Sequence, residues 1–184
     1  METMMAAGLI LNPIGLIIFV LVPLITIRAV QRPELSAARL TAGYIGALVA
    51  LAIAVGRWSY FSLEDAVSVW HIAPERYWEE LMGQYISIFV VTAFVSVIGI
   101  SVVGIPVLVA LSNCSRGTVP WFVLASVLIS TVMAMLAALP RLFSIEFLRT
   151  WGLLVISHVI LTTGFSLAAR LPWTLRRNAE GSTS

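Results

Sequence analysis

His158 is the one imidazole that falls inside an uncharged apolar run, residues 151–169. Thr162 and Ser166 follow it at four-residue steps and Arg170 comes next, so on a helix all four share one face. An imidazole followed by hydroxyls is the composition of a proton or ion path through a bilayer. A relay would also need an intramembrane carboxylate, and none of the apolar runs holds an Asp or Glu. Ser and Thr, moreover, readily bond the carbonyls of their own helix. The favoured reading of His158 is therefore structural: a neutral ring bonded to a serine of the fourth apolar run or to Asn12. Asn12 is itself read as an interhelical hydrogen-bonding group.

A second set lies outside the apolar runs. Glu64, Asp65, Trp70, Glu75, Trp78, Glu79 and Glu80 fall within residues 57–83, where five acids stand against Arg57 and Arg76. His71, Glu75 and Glu79 have four-residue spacing, but Pro74 interrupts the helix such a metal site would need, so no metal is expected. Acids interleaved with aromatics suit docking of a basic partner or of another subunit's extramembrane domain.

Nothing here resembles catalytic machinery. There is no nucleophile elbow, HExxH, P-loop or GxGxxG, so neither catalytic residues nor cofactors are expected. The eleven basic residues are all Arg and sit at the ends of apolar runs, which marks membrane topology rather than nucleic-acid contact. A single cysteine, Cys114, excludes an intramolecular disulfide.

These groups must be positioned by membrane helices. The chain of 184 residues is 60% hydrophobic and 11% charged, with a mean hydropathy of +1.00, whereas about a quarter of a soluble domain's residues are charged. Residues 84–111 carry no charge at all, and as a helix they extend roughly 40 Å, more than a hydrocarbon core of about 30 Å. The expected architecture is all-α: a polytopic bundle of five transmembrane helices at about 4–27, 40–56, 84–111, 121–139 and 151–169. Short amphipathic helices fill the 57–83 loop, beginning with Ser62 and Asp65 as a capping box. Residues 1–177 form one membrane domain and 178–184 a disordered tail. No basic residue precedes Arg28, so the first run reads as a retained span rather than a cleaved signal peptide.

Two stripes of small residues should bring backbones close: Gly46, Ala50 and Ala54 on the second helix, and Ser126, Ser130, Ala134 and Ala138 on the fourth. The spacing predicts that these two helices pack together. Gly104 and Pro106 should bend the end of the third.

Orientation follows from the arginines. Five crossings place Arg28, Arg32, Arg39, Arg116, Arg170, Arg176 and Arg177 on one side and Arg57, Arg76, Arg141 and Arg149 on the other. The richer side is expected in the cytoplasm, with the N-terminus outside and the acidic loop facing outward from a plasma membrane, most simply a bacterial inner membrane. The expected role is non-catalytic: binding of a membrane partner, as an accessory subunit or an immunity-type protein against a membrane-active toxin. The alternative is an oligomeric channel or transporter subunit that gathers several His158 stripes around one path.

Overall fold

The computed structural model describes residues 12–30, 35–70, 77–114, 116–137 and 145–173, and among them all regular structure is helical. α1 spans Pro13–Ala29, α2 Ala37–Trp70, α3 Tyr77–Gly99, α4 Ile105–Asn113, α5 Val119–Ala137 and α6 Ile145–Ala168. Residues 100–104 form a π-helical turn that joins α3 and α4 into one rod, so the described residues make five helical rods.

α1 begins where its sequence provides a start signal. Asn12 Oδ1 accepts a hydrogen bond from Gly15 N at 2.7 Å, and Pro13 occupies the first turn, where its missing N–H costs nothing. Asn12 is thus a helix cap and not the interhelical group expected of it. The expected start at residue 4 lies outside the described residues. At 17 residues α1 is about 26 Å long, short of a full crossing.

Among the described residues three helices are long and apolar enough to cross a membrane: Ala37–Phe61 in α2, Trp78–Asn113 in the α3–α4 rod, and Trp151–Ala168 in α6. Pro13–Ala29 and Val119–Met133 are shorter apolar helices. Among the described residues three rods thus qualify as membrane spans, where five were expected.

The largest correction concerns residues 57–83. Among the described residues the expected short amphipathic helices are not separate elements: α2 runs unbroken through Gly56, Arg57 and Ser62 to Trp70, and Trp78, Glu79 and Glu80 lie in the first turn of α3. No proline lies between Ala37 and Trp70, and loss of apolarity does not end a helix whose residues keep helical propensity. Arg57 even reinforces it by placing its guanidinium carbon 5.2 Å from the Phe61 ring centroid, one turn on. A capping box at Ser62 would have required a non-helical residue there.

The disturbance expected near Gly104 and Pro106 takes a specific form. Pro106 cannot donate to the carbonyl four residues back, and its ring crowds that carbonyl. The helix answers by widening to a π turn, in which Ile105 N donates to Ile100 O.

α6 is the hub. Its most extensive contact is with α2 and the next with α5, while α2 also packs on α3. The expected pairing of the second and fourth helices is replaced by pairing of α2 with α6. Gly46 and Ala50 do form a close-approach stripe, but it meets Gly164 and Ala168. A Cβ added to Gly46 would stand 2.5 Å from Gly164 O, and one added to Gly164 would stand 2.7 Å from Ala50 Cβ. The backbones touch here because neither glycine has a side chain to hold them apart. Ser126 and Ser130 lie buried on α5, which packs on α6; Ala138 lies outside the described residues.

Phe165 fills the centre of the bundle. It is 1% exposed, with the Tyr44 ring edge-on at 6.0 Å and the Phe122 ring at 6.0 Å and 61°. Such tilted pairs are favoured because ring edges and faces carry opposite partial charge. Leu40, Ile105 and Leu108 complete the core around it.

Candidate functional site

The polar groups of the molecule divide into an interior set and a set at one end. In the interior, His158 Nδ1 lies 2.8 Å from Leu154 O of its own helix, and Thr162 Oγ1 donates to His158 O at 2.6 Å. The expected bond from His158 to a serine of the fourth run or to Asn12 is replaced by this local one. The physical reason is proximity: in a helix the carbonyl four residues back is always within reach, while a partner on another helix must be placed there. Ser166 is fully buried, and its Oγ has no partner among the described residues. The His158, Thr162 and Ser166 face is thus a run of self-satisfied or isolated groups, with no continuous chain of hydrogen bonds.

A different polar node links three elements. Ser101 Oγ, in the π turn, donates to Val97 O at 2.7 Å, and Tyr44 OH lies 2.6 Å from the same oxygen. Ser101 has one hydroxyl proton and gives it to Val97, so Tyr44 is the donor to Ser101. Thr26 of α1 also stands beside the Tyr44 hydroxyl. This node ties α2 to the one irregular turn of the α3–α4 rod. No spacing rule points to a pair 57 residues apart, although a tyrosine inside an uncharged run does announce that its hydroxyl needs a partner. Tyr44→Phe is expected to lower stability by about 1 kcal/mol, the usual worth of one such bond, and a thermal unfolding curve in mild detergent measures it.

α5 and α6 are joined in the same manner near their other ends, where Trp151 Nε1 donates to Thr131 Oγ1 at 3.1 Å. Ser130 Oγ donates to Ser126 O of its own helix, and Ser126 Oγ is buried without a partner among the described residues.

The end set is carried by the termini of α2 and α3. Glu64, Asp65 and Trp70 belong to the last third of α2. Trp78, Glu79 and Glu80 are exposed in the first turn of α3, where carboxylates also complement the positive end of the helix dipole. Glu75 and His71 lie outside the described residues. The two helices meet at the base of this region, since an added Cβ on Gly56 would be 3.4 Å from the Tyr85 ring, and Ser59 beside it is fully buried. Of the docking residues expected from sequence, Glu64, Asp65 and Trp70 thus lie on one rod and Trp78, Glu79 and Glu80 on its neighbour, while Glu75 is not described.

The opposite end gathers guanidinium groups. Arg28 closes α1, Arg39 lies in the first turn of α2, Arg116 stands between α4 and α5, and Arg170 follows α6, all four exposed. Val119 N donates to Pro172 O at 3.0 Å and so holds the turn before α5 against the segment after α6. No protein-family model matches the chain, and no curated protein or solved structure matches it.

Proposed function

We propose that the protein is a non-catalytic membrane protein that works by binding a partner, through the arm formed by the end of α2 and the start of α3. The observation that carries this reading is length. α2 has 34 residues and Trp78–Asn113 has 36, so the two rods extend about 51 and 54 Å. To lie wholly within a hydrocarbon core of about 30 Å they would have to tilt by more than about 50°, while transmembrane helices tilt by about 0–40°. Both rods must project, and their charged, aromatic ends are the parts that leave the lipid. The sequence of the projection includes Glu64, Asp65, Glu79 and Glu80, a charge suited to a basic partner, and Trp70 and Trp78, residues of the kind that dominate binding energy at interfaces. The partner is another membrane protein, to which this chain is an accessory subunit or an immunity-type blocker.

In this reading the chain crosses five times. The N-terminus is outside, the C-terminus cytoplasmic, and the arm outside a bacterial inner membrane. The hydrogen bond from Val119 to Pro172 supports the arrangement, because the turn before α5 and the segment after α6 then share a side. Reporter tags near residues 68 and 180 should light up in opposite compartments, and tags in the same compartment overturn it.

The binding role is tested by capture in mild detergent from native membranes. Wild type should elute as a complex larger than itself, and a variant with Glu64, Asp65, Glu79 and Glu80 changed to their amides should elute alone. Recovery of wild type alone in every detergent, with the amide variant indistinguishable from it in cells, ends the proposal.

A further inference from the structure

We infer that the end of the bundle opposite the arm is a binding site for the headgroup of an acidic phospholipid, with Arg116 and Arg170 as its two principal contacts and Arg28 and Arg39 beside them. The inference rests on residence in a membrane alone and is independent of the partner reading.

Three observations carry it. The first is convergence: the Val119–Pro172 hydrogen bond joins the turn that carries Arg116 to the segment that carries Arg170, although the two are far apart in sequence. The second is preparation. The Arg116 guanidinium carbon lies 4.6 Å from the centroid of the Trp121 ring, which restrains a long side chain otherwise free to wander and leaves its N–H fork for an anion. Trp121 and Trp173 are both exposed here, as indole rings are at headgroup depth.

The third observation concerns Arg170, which has φ 54°, the left-handed region that glycine ordinarily fills after a helix. Its N–H donates to Leu167 O and that of Leu171 to Ser166 O, so these two carbonyls at the end of α6 are already satisfied by backbone. An arginine side chain is therefore not needed to cap this helix. It stands exposed at a position where its backbone geometry costs about 1 kcal/mol relative to glycine.

Charge balance selects the ligand. No carboxylate lies at this end among the described residues, and the sequence holds only Glu34 between Arg28 and Arg57, offset by Arg32. A zwitterionic headgroup presents its own cation to such a cluster, whereas phosphatidylglycerol presents only its phosphate. Guanidinium matches phosphate with two parallel hydrogen bonds.

The test is lipid retention by native mass spectrometry from detergent micelles doped equally with phosphatidylglycerol and phosphatidylcholine. Wild type should retain phosphatidylglycerol in clear excess. The R116Q/R170Q variant should lose that preference by about fivefold per arginine, the value of one basic residue near a lipid surface. R116K/R170K should keep much of the preference, and R57Q, at the other end, all of it. Millimolar inorganic phosphate should leave the bound lipid in place. The inference is overturned by equal retention of the two lipids in wild type, by an undiminished preference in R116Q/R170Q, or by displacement of lipid by inorganic phosphate.

Discussion

Replacing Gly164 by leucine is expected to dismantle the bundle, with the protein lost from the monodisperse fraction on size exclusion in mild detergent. A single added carbon at this position already stands 2.7 Å from Ala50 Cβ and 2.8 Å from Gly46 O. The second of those atoms belongs to backbone that cannot rotate away. α2 and α6 would have to separate along their whole line of contact, and in lipid that contact is most of what binds them. Lipid tails are as apolar as leucine, so helices associate through close packing rather than expulsion from water. Overpacking a well-filled core costs about 1–3 kcal/mol, and here the side chain meets a neighbouring backbone, which puts leucine at or above the upper end. Gly164→Ala should show a smaller loss in the same assay. The control lies on the same helix: a Cβ added to Gly152 meets nothing within 4 Å, so Gly152→Ala should gain up to about 1 kcal/mol from helix propensity alone. Equal responses at Gly152 and Gly164 would mean that the glycine contact does not exist.

How much of this arrangement the sequence discloses depends on the kind of signal involved. Apolarity marks where lipid is, and it located α2, the α3–α4 rod and α6 well. It says nothing about where a helix ends once it has left the lipid, which is why residues 57–70 read as a loop with its own short helix and are in fact the continuation of α2. Asn12 and Pro13 look like an interruption when a span is assumed to run past them, and like a start signal once the cap is seen. The Gly46 and Ala50 stripe discloses that some backbone comes close, but a stripe does not name its partner. The partner did have a signature: Gly164 and Ala168 are small residues four apart on the fifth apolar run. His158, Thr162 and Ser166 obscure it with a more conspicuous pattern on the same helix. The Tyr44–Ser101 bond had no spacing signature, since it joins a regular helix to a π turn whose position is set by Pro106. The acidic residues are legible in composition, and the proposal that they project rests on the lengths of two rods, which composition does not give.

Phe165→Ala is expected to produce the largest loss from a single truncation, about 3 kcal/mol or more, read from thermal or denaturant unfolding in detergent. The ring touches three helices at once: its own, α2 through Tyr44 and Gly43, and α5 through Phe122. In a water-soluble core such a truncation costs about 3–5 kcal/mol, part from the transfer of the lost atoms out of water and part from the cavity they leave. In lipid the transfer part shrinks, but the cavity part stays whole, because tails cannot enter a void sealed on three sides by helices. That places the expected cost near the lower bound. Gly43 offers a direct check on the mechanism. A Cβ there would stand 2.6 Å from Phe165 Cε2, so Gly43→Ala in the intact protein should destabilise. With Phe165 already truncated, the same methyl group points into the vacated space. Gly43→Ala should then be neutral or stabilising, and the two substitutions should couple by more than about 1 kcal/mol, as side chains in contact do. Strictly additive losses would mean that Phe165 does not occupy the place between α2 and α5 from which the bundle is built.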